Sequence, residues 1–146
     1  MSDFVLHPQL AKDSLPVADW QLSRVLRMND TTYPWLILVP RRPNCREISE
    51  LPSTERHRLI DEIARASEAL QREFRPEKIN VGALGNMVPQ LHVHVIARFT
   101  DDPAWPRPVW GVKPPTLFSV ADAKAEIIRW RNAFNLPTDA ESTEGQ

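Results

Sequence analysis

Two of the four histidines in this chain lie two residues apart, in the run Gln90-Leu91-His92-Val93-His94-Val95. Side chains on a β-strand alternate between its two faces. In a strand, Gln90, His92 and His94 therefore share one face, while Leu91, Val93, Val95 and Ala97 share the other and enter the core. Neutral imidazole is a nucleophile and can transfer protons near neutral pH. A nucleophile attacking phosphorus also needs neighbours that hold the oxygens on which charge develops. A second imidazole, an amide and nearby backbone N–H groups can supply that. For Nε2 of His92 to attack, Nδ1 should carry the proton and donate it to a fixed acceptor, and the backbone carbonyl of Gln90 is the expected one. The same spacing also fits two other readings, a polar face on an edge strand and a pair of metal ligands. A metal site needs a third ligand and often a fourth. Gln90, Asn86 and Arg98 are poor candidates for zinc, so no metal and no cofactor is expected.

The surrounding elements follow from periodicity. Leu59, Ile63, Ala66, Leu70 and Phe74 recur at spacings of three and four, which predicts a helix over Ser53 to Phe74, capped by Ser53 and stopped by Pro76. Arg58, Glu62, Arg65 and Glu68 fall on its opposite face, read as a solvated surface. Leu22 to Met28 reads as a first strand, followed by a turn at Asn29-Asp30-Thr31-Thr32. Trp35 to Val39, closed by Pro40, reads as a buried strand. Lys78 to Leu84 and Leu91 to Arg98 read as two more strands, forming an antiparallel hairpin if they pair. Prolines 103, 106, 108, 114 and 115 make 100 to 115 a long ordered loop packed by its tryptophans, since proline lacks the ladder donor. A last helix spans Ser119 to Phe134, opened by Ser119 with Asp122. The order of elements predicts an α+β domain over 1–137 with an antiparallel sheet, and a flexible tail over 138–146.

Composition narrows the function classes. With 146 residues, 42% hydrophobic and 25% charged, the chain is one globular domain. A net charge of −1 gives no basic field to hold nucleic acid by its backbone, so a small ligand or a protein partner is expected. Cys45 is the sole cysteine, which excludes an internal disulfide and fits a reducing compartment. Neither a signal peptide nor a membrane span is legible, and the expected location is the cytoplasm.

The stretch Gly85 to Arg98, Gly-Asn-Met-Val-Pro-Gln-Leu-His-Val-His-Val-Ile-Ala-Arg, resembles the signature of the histidine-triad (HIT) superfamily, in which three histidines alternate with apolar residues. The resemblance extends from about Leu22 to Trp110 through a strand ending at Pro40, a long helix, a strand through Asn80 and a Gly-containing turn. It implies a HIT-like fold, commonly a homodimer, acting at the α-phosphorus of a nucleoside phosphate through a nucleotidyl-histidine. The substrate classes implied are dinucleoside polyphosphates and nucleoside phosphoramidates, cleaved by hydrolysis or transfer without a metal. By resemblance His92 is the nucleophile and His94 binds phosphate oxygens. Asn86 matches a residue contacting the phosphate or the bridging atom, and Asn80 a polar position on the preceding strand. Asn29 matches the position that holds the ribose hydroxyls.

Two departures stand out. Gln90 occupies the place of the first histidine and carries no titrating proton. Pro34-Trp35 stands where many members have Gly-His, with Trp35 read as core packing or as a wall of the pocket. Among the remaining candidates, Arg98 either reaches a distal phosphate or lies on the surface. Trp105 and Trp110 shape the substrate mouth, or pin the loop or a dimer interface. His7 and His57 read as surface residues. The alternative function is a nucleotide-binding or regulatory protein that keeps the pocket without turnover.

Overall fold

The structure, a computed structural model, describes residues 3–138. Helix α1 (Pro8–Asp13) leads directly into strand β1 (Ser14–Asp19), followed by β2 (Ser23–Met28) and β3 (Trp35–Pro40). A short 3₁₀ turn (Ile48–Glu50) precedes the long helix α2 (Ser53–Phe74). Strands β4 (Lys78–Gly82) and β5 (Val93–Arg98) come next, and α3 (Val120–Ala133) closes the order. The five strands form one open, wholly antiparallel sheet in the order β1-β2-β3-β5-β4. This is the α+β arrangement with an antiparallel sheet that the order of elements predicts, and no described helix is long and apolar enough to cross a membrane.

Both faces of the sheet are covered, which explains why β3 and β5 are buried along their whole length. On one face Val25, Leu36, Leu38, Val95 and Ala97 pack against Ala66, Ala69 and Leu70 of α2 and Trp130 and Phe134 at the end of α3. The three-and-four spacing of apolar residues on α2 thus does what its periodicity predicts. On the other face Leu26, Trp35, Ile37 and Ile96 pack beneath Leu10 of α1 and Ala104 and Val109 of the segment after β5. That segment, regular in neither helical nor strand sense, is the expected ordered loop.

Several expectations are corrected. The strand at Ser23–Met28 is the second, because α1 and β1 precede it. β1 carries Pro16, tolerated because β1 lies at the sheet edge and its pairing with β2 shifts register between Pro16 and Ala18. Ser53 is the first helical residue of α2 and Pro52 its cap, with no side-chain capping bond. The helix ends on Arg75 in the left-handed conformation, φ 50°, immediately before Pro76. Glu62 is not solvated. Its carboxylate is 5% exposed and accepts the N–H groups of Leu22 (3.0 Å) and Ser23 (3.1 Å), tying α2 to the β1–β2 turn. α3 is capped as expected, with Ser119 Oγ accepting the Asp122 N–H. The tail expected over 138–146 lies, from residue 139 onward, outside the described residues.

Candidate active site

His94 lies in β5 directly opposite Ile37 of β3 and Gly82 of β4. His92 lies just before the strand, so the polar alternation begins in the connection rather than in the ladder. The two imidazoles are 7% exposed each, with ring centroids 4.9 Å apart. They line one side of a cavity of about 430 Å³. Leu10, Met28, Trp35, Ile37, Trp110 and residues 84–88 line the rest of it, and Asp13 and Asn86 add the other polar side chains.

The hydrogen bonds assign the two rings opposite roles. His92 Nδ1 lies 2.7 Å from the carbonyl oxygen of Gln90. A carbonyl only accepts, so Nδ1 carries the proton and the neutral ring keeps a lone pair on Nε2. This is the acceptor expected from the sequence. Trp35 Nε1–H donates to His94 Nδ1 at 3.0 Å. An indole nitrogen only donates, so His94 accepts at Nδ1 and carries its proton on Nε2. Burial, reinforced by the neighbouring His92, pushes the His94 pKa down to about 3. The pair therefore offers one nucleophilic lone pair and one neutral donor.

Trp110 completes the enclosure. Its ring packs edge-on against His94 (centroids 5.2 Å) and Trp35 (6.2 Å). A Cβ on Gly82 would sit 3.1 Å from the edge of the Trp110 ring, so the bare glycine makes room for the indole beside His94. The loop that carries Trp110 is anchored at its start by Arg98, which the sequence left between surface and phosphate. Arg98 is 1% exposed and pairs with Asp102 through Nε (2.8 Å) and a terminal nitrogen (3.0 Å). Its other terminal nitrogen donates to Asn80 Oδ1 at 2.7 Å. Asp102 also accepts from the backbone N–H groups of Phe99, Ala104 and Trp105. Burial alone would raise the Asp102 pKa, but Arg98 and the N–H groups of Phe99 and Trp105 outweigh it and hold it at about 2.

The structure thus divides the expected site residues. His92, His94 and Asn86 meet at the cavity. Arg98 is committed to Asp102 and Asn80, Asn80 accepts from Arg98, and neither lines it. The side chain of Gln90 also points elsewhere. Its Oε1 accepts the His7 N–H and its Nε2 donates to the Val5 carbonyl, both at 2.9 Å, clamping the N-terminal segment. Only the backbone carbonyl of Gln90 serves His92. Asn29 Oδ1 accepts the Phe118 N–H at 2.9 Å, and its neighbour Met28, not Asn29 itself, lines the cavity. Asp13, which no sequence motif singles out, does line it, and its carbonyl accepts the Asn29 N–H. His7 is not idle surface: its Nδ1 accepts the Gln9 N–H and caps α1. Among the described residues, no group of three His, Cys, Asp or Glu side chains is placed to hold a metal ion.

An open antiparallel sheet presenting an enclosed pair of oriented imidazoles defines a class of small α+β proteins built around a histidine site. The chain belongs to the HIT family, whose domain matches residues 9–101 and whose members commonly act as nucleotide hydrolases or transferases. Solved structures agree. A histidine triad protein of Marinobacter aquaeolei VT8 is 45% identical, with a TM-score of 0.87 over 90% of this chain and 96% of that one. One of Bradyrhizobium japonicum is 46% identical, with a TM-score of 0.84 over 89% and 97%. One of Sinorhizobium meliloti 1021 is 39% identical, with a TM-score of 0.85 over 90% and 97%. No curated protein matches the chain.

Proposed function

We propose that the chain is a nucleotide hydrolase or nucleotidyl transferase acting at the α-phosphorus of a nucleoside phosphate through a covalent nucleotidyl-His92. The observation that carries the reading is the opposed hydrogen bonding of the two histidines, which leaves a lone pair on His92 Nε2 and an N–H on His94 Nε2. His92 Nε2 attacks phosphorus, the N–P bond forms, and the bond to the leaving group breaks with its electron pair. His94 Nε2–H and Asn86 hold the non-bridging oxygens, as donors aimed where charge develops. Water, or another acceptor, then attacks phosphorus, the N–P bond breaks with its electron pair returning to His92 Nε2, and the acceptor's proton passes to solvent. The largely apolar cavity suits a nucleoside, with Asp13 at its margin as a hydroxyl acceptor. His92 also borders a second cavity of about 220 Å³, whose lining includes Arg46, Glu47 and Ser49. This is read as the leaving-group side, open to a second nucleotide of a dinucleoside polyphosphate or to the amine of a phosphoramidate.

Gln90 is read as standing in place of the family's first triad histidine, contributing through its backbone alone. Asn80 and Arg98 support the site through the Trp110 loop, and Asn29 through the turn beside Met28. A cytoplasmic homodimer fits the family and the open outer edge of β4, where Val81 is half exposed at 51% and Leu84 and Met87 in the following segment are exposed too. The second reading, a nucleotide-binding protein without turnover, is favoured only by Gln90. Steady-state assays with diadenosine polyphosphates and an adenosine phosphoramidate, in the presence of chelator, decide between them. Turnover lost in His92→Ala supports the enzyme, and tight nucleotide binding without turnover supports the binder.

A further inference from the structure

We propose that Trp35 is a positioning residue for the chemistry, its indole N–H holding His94 in the one tautomer that presents a donor to the substrate. The inference deepens the reading of the His92–His94 site and, for its kinetic part, rests on it.

Trp35 and His94 are diagonal neighbours on the same face of the β3–β5 pair, since Trp35 opposes Ile96 and Ile37 opposes His94. Long side chains reach across such diagonals, and here the indole nitrogen meets Nδ1 at 3.0 Å with both residues buried. The Trp35 and His94 ring centroids are 5.5 Å apart, and Trp110 packs edge-on against both. The three rings thus pack edge to face around one another. The titratable groups facing His94 are His92 beside it and Asp13 at the end of α1 across the cavity. Gly82, Ile37, Asn86 and Trp110 bring no charge from the other elements.

The alternative tautomer would place N–H against N–H at Trp35 and turn a lone pair toward an anionic phosphate oxygen. Both contacts are repulsive, so the indole and the substrate select the same proton position. His94 then works as a permanent neutral donor with no proton to release. Protonation of a departing amine falls to the substrate or to water, not to His94.

The test uses the full chain with ¹⁵N-labelled histidine. Long-range ¹H–¹⁵N spectra of wild type, Trp35→Phe and Trp35→His are recorded from pH 5 to 8, with His94 assigned by its loss in His94→Gln. Wild type should show His94 as the Nε2–H tautomer, unchanged across that range. Trp35→Phe removes the donor but keeps a ring, and His94 should become a tautomer mixture or titrate within the range. Trp35→His restores a ring N–H and should restore the single tautomer. In parallel, kcat should fall about tenfold to a hundredfold in Trp35→Phe, with a smaller change in KM, and recover in large part in Trp35→His. A wild-type His94 that titrates near its ordinary value or carries its proton on Nδ1 overturns the proposal, and needs no variant to fold. So does a folded Trp35→Phe protein whose His94 spectrum matches wild type. The spectra do not depend on turnover. Absent activity with the expected spectra would defeat the enzymatic reading alone.

Discussion

Replacing Asp102 with Ala should destabilise the protein severely, although Asp102 touches neither histidine. The carboxylate is 5% exposed and accepts five hydrogen bonds, two from Arg98 and three from backbone N–H groups. Its removal leaves the Arg98 guanidinium, 1% exposed, with Asn80 Oδ1 as its one remaining acceptor in the structure. Breaking a buried ion pair from one side costs about 3–5 kcal/mol, whereas an exposed pair contributes about 0–1 kcal/mol. For a domain of this size the larger figure lowers Tm by roughly 10–15 °C. Urea unfolding followed by tryptophan fluorescence measures the loss directly. Arg98→Met with Asp102→Ala removes both charges, and the double variant should be more stable than Asp102→Ala alone, because no buried charge is then left unpaired. A single-variant loss below about 1 kcal/mol, or a double variant less stable than the single, would show that the pair does not anchor the loop.

Two further outcomes follow from the same contacts. The His94 pKa lies near 3 in the folded protein against 6.5 for the free side chain, so the unfolded chain binds the extra proton as pH falls below 6.5. Stability should therefore decline between pH 6.5 and 5 by up to about 1.4 kcal/mol per pH unit, and the decline should flatten in His94→Gln. The low Asp102 pKa acts in the same direction but only below about pH 4, where the unfolded chain's carboxylate takes up a proton while the folded one stays ionised down to about pH 2. Equal slopes in wild type and His94→Gln would contradict the buried neutral ring. Gln90→Ala should accelerate hydrogen exchange at the His7 amide by freeing the N-terminal segment, while lowering kcat far less than His92→Ala does, since the carbonyl that orients His92 persists. A loss of turnover as deep as that of His92→Ala would return the Gln90 side chain to the chemistry.

The features that were legible in the sequence are those set by local periodicity. The bounds of α2, the Ser119 cap of α3, the inward face of Val93, Val95 and Ala97, and the pairing of His92 with His94 all follow from spacings of two, three and four residues. Even the Gln90 carbonyl could be anticipated, because it lies two residues from the ring it orients. What escaped depends on contacts distant in sequence. β1 was hidden by Pro16, which only an edge position and a register shift accommodate. Glu62 lies on the polar side of α2, yet it meets a turn about 40 residues earlier whose N–H groups need an acceptor. Arg98 and Asn80 look available in a linear reading until Asp102 folds back against Arg98 and β4 brings Asn80 to its other side. The Trp35–His94 bond joins residues 59 apart, and only strand register brings them together.

The central claim is that His92 is a nucleophile that carries the nucleotide. The direct measurement is intact-protein mass spectrometry of rapidly quenched reactions with a diadenosine polyphosphate or an adenosine phosphoramidate, in chelator, on wild type and His92→Ala. A transient AMP-sized adduct in wild type, absent in the variant, is the predicted result. Turnover in wild type without any adduct, or an adduct that persists in His92→Ala, would contradict it.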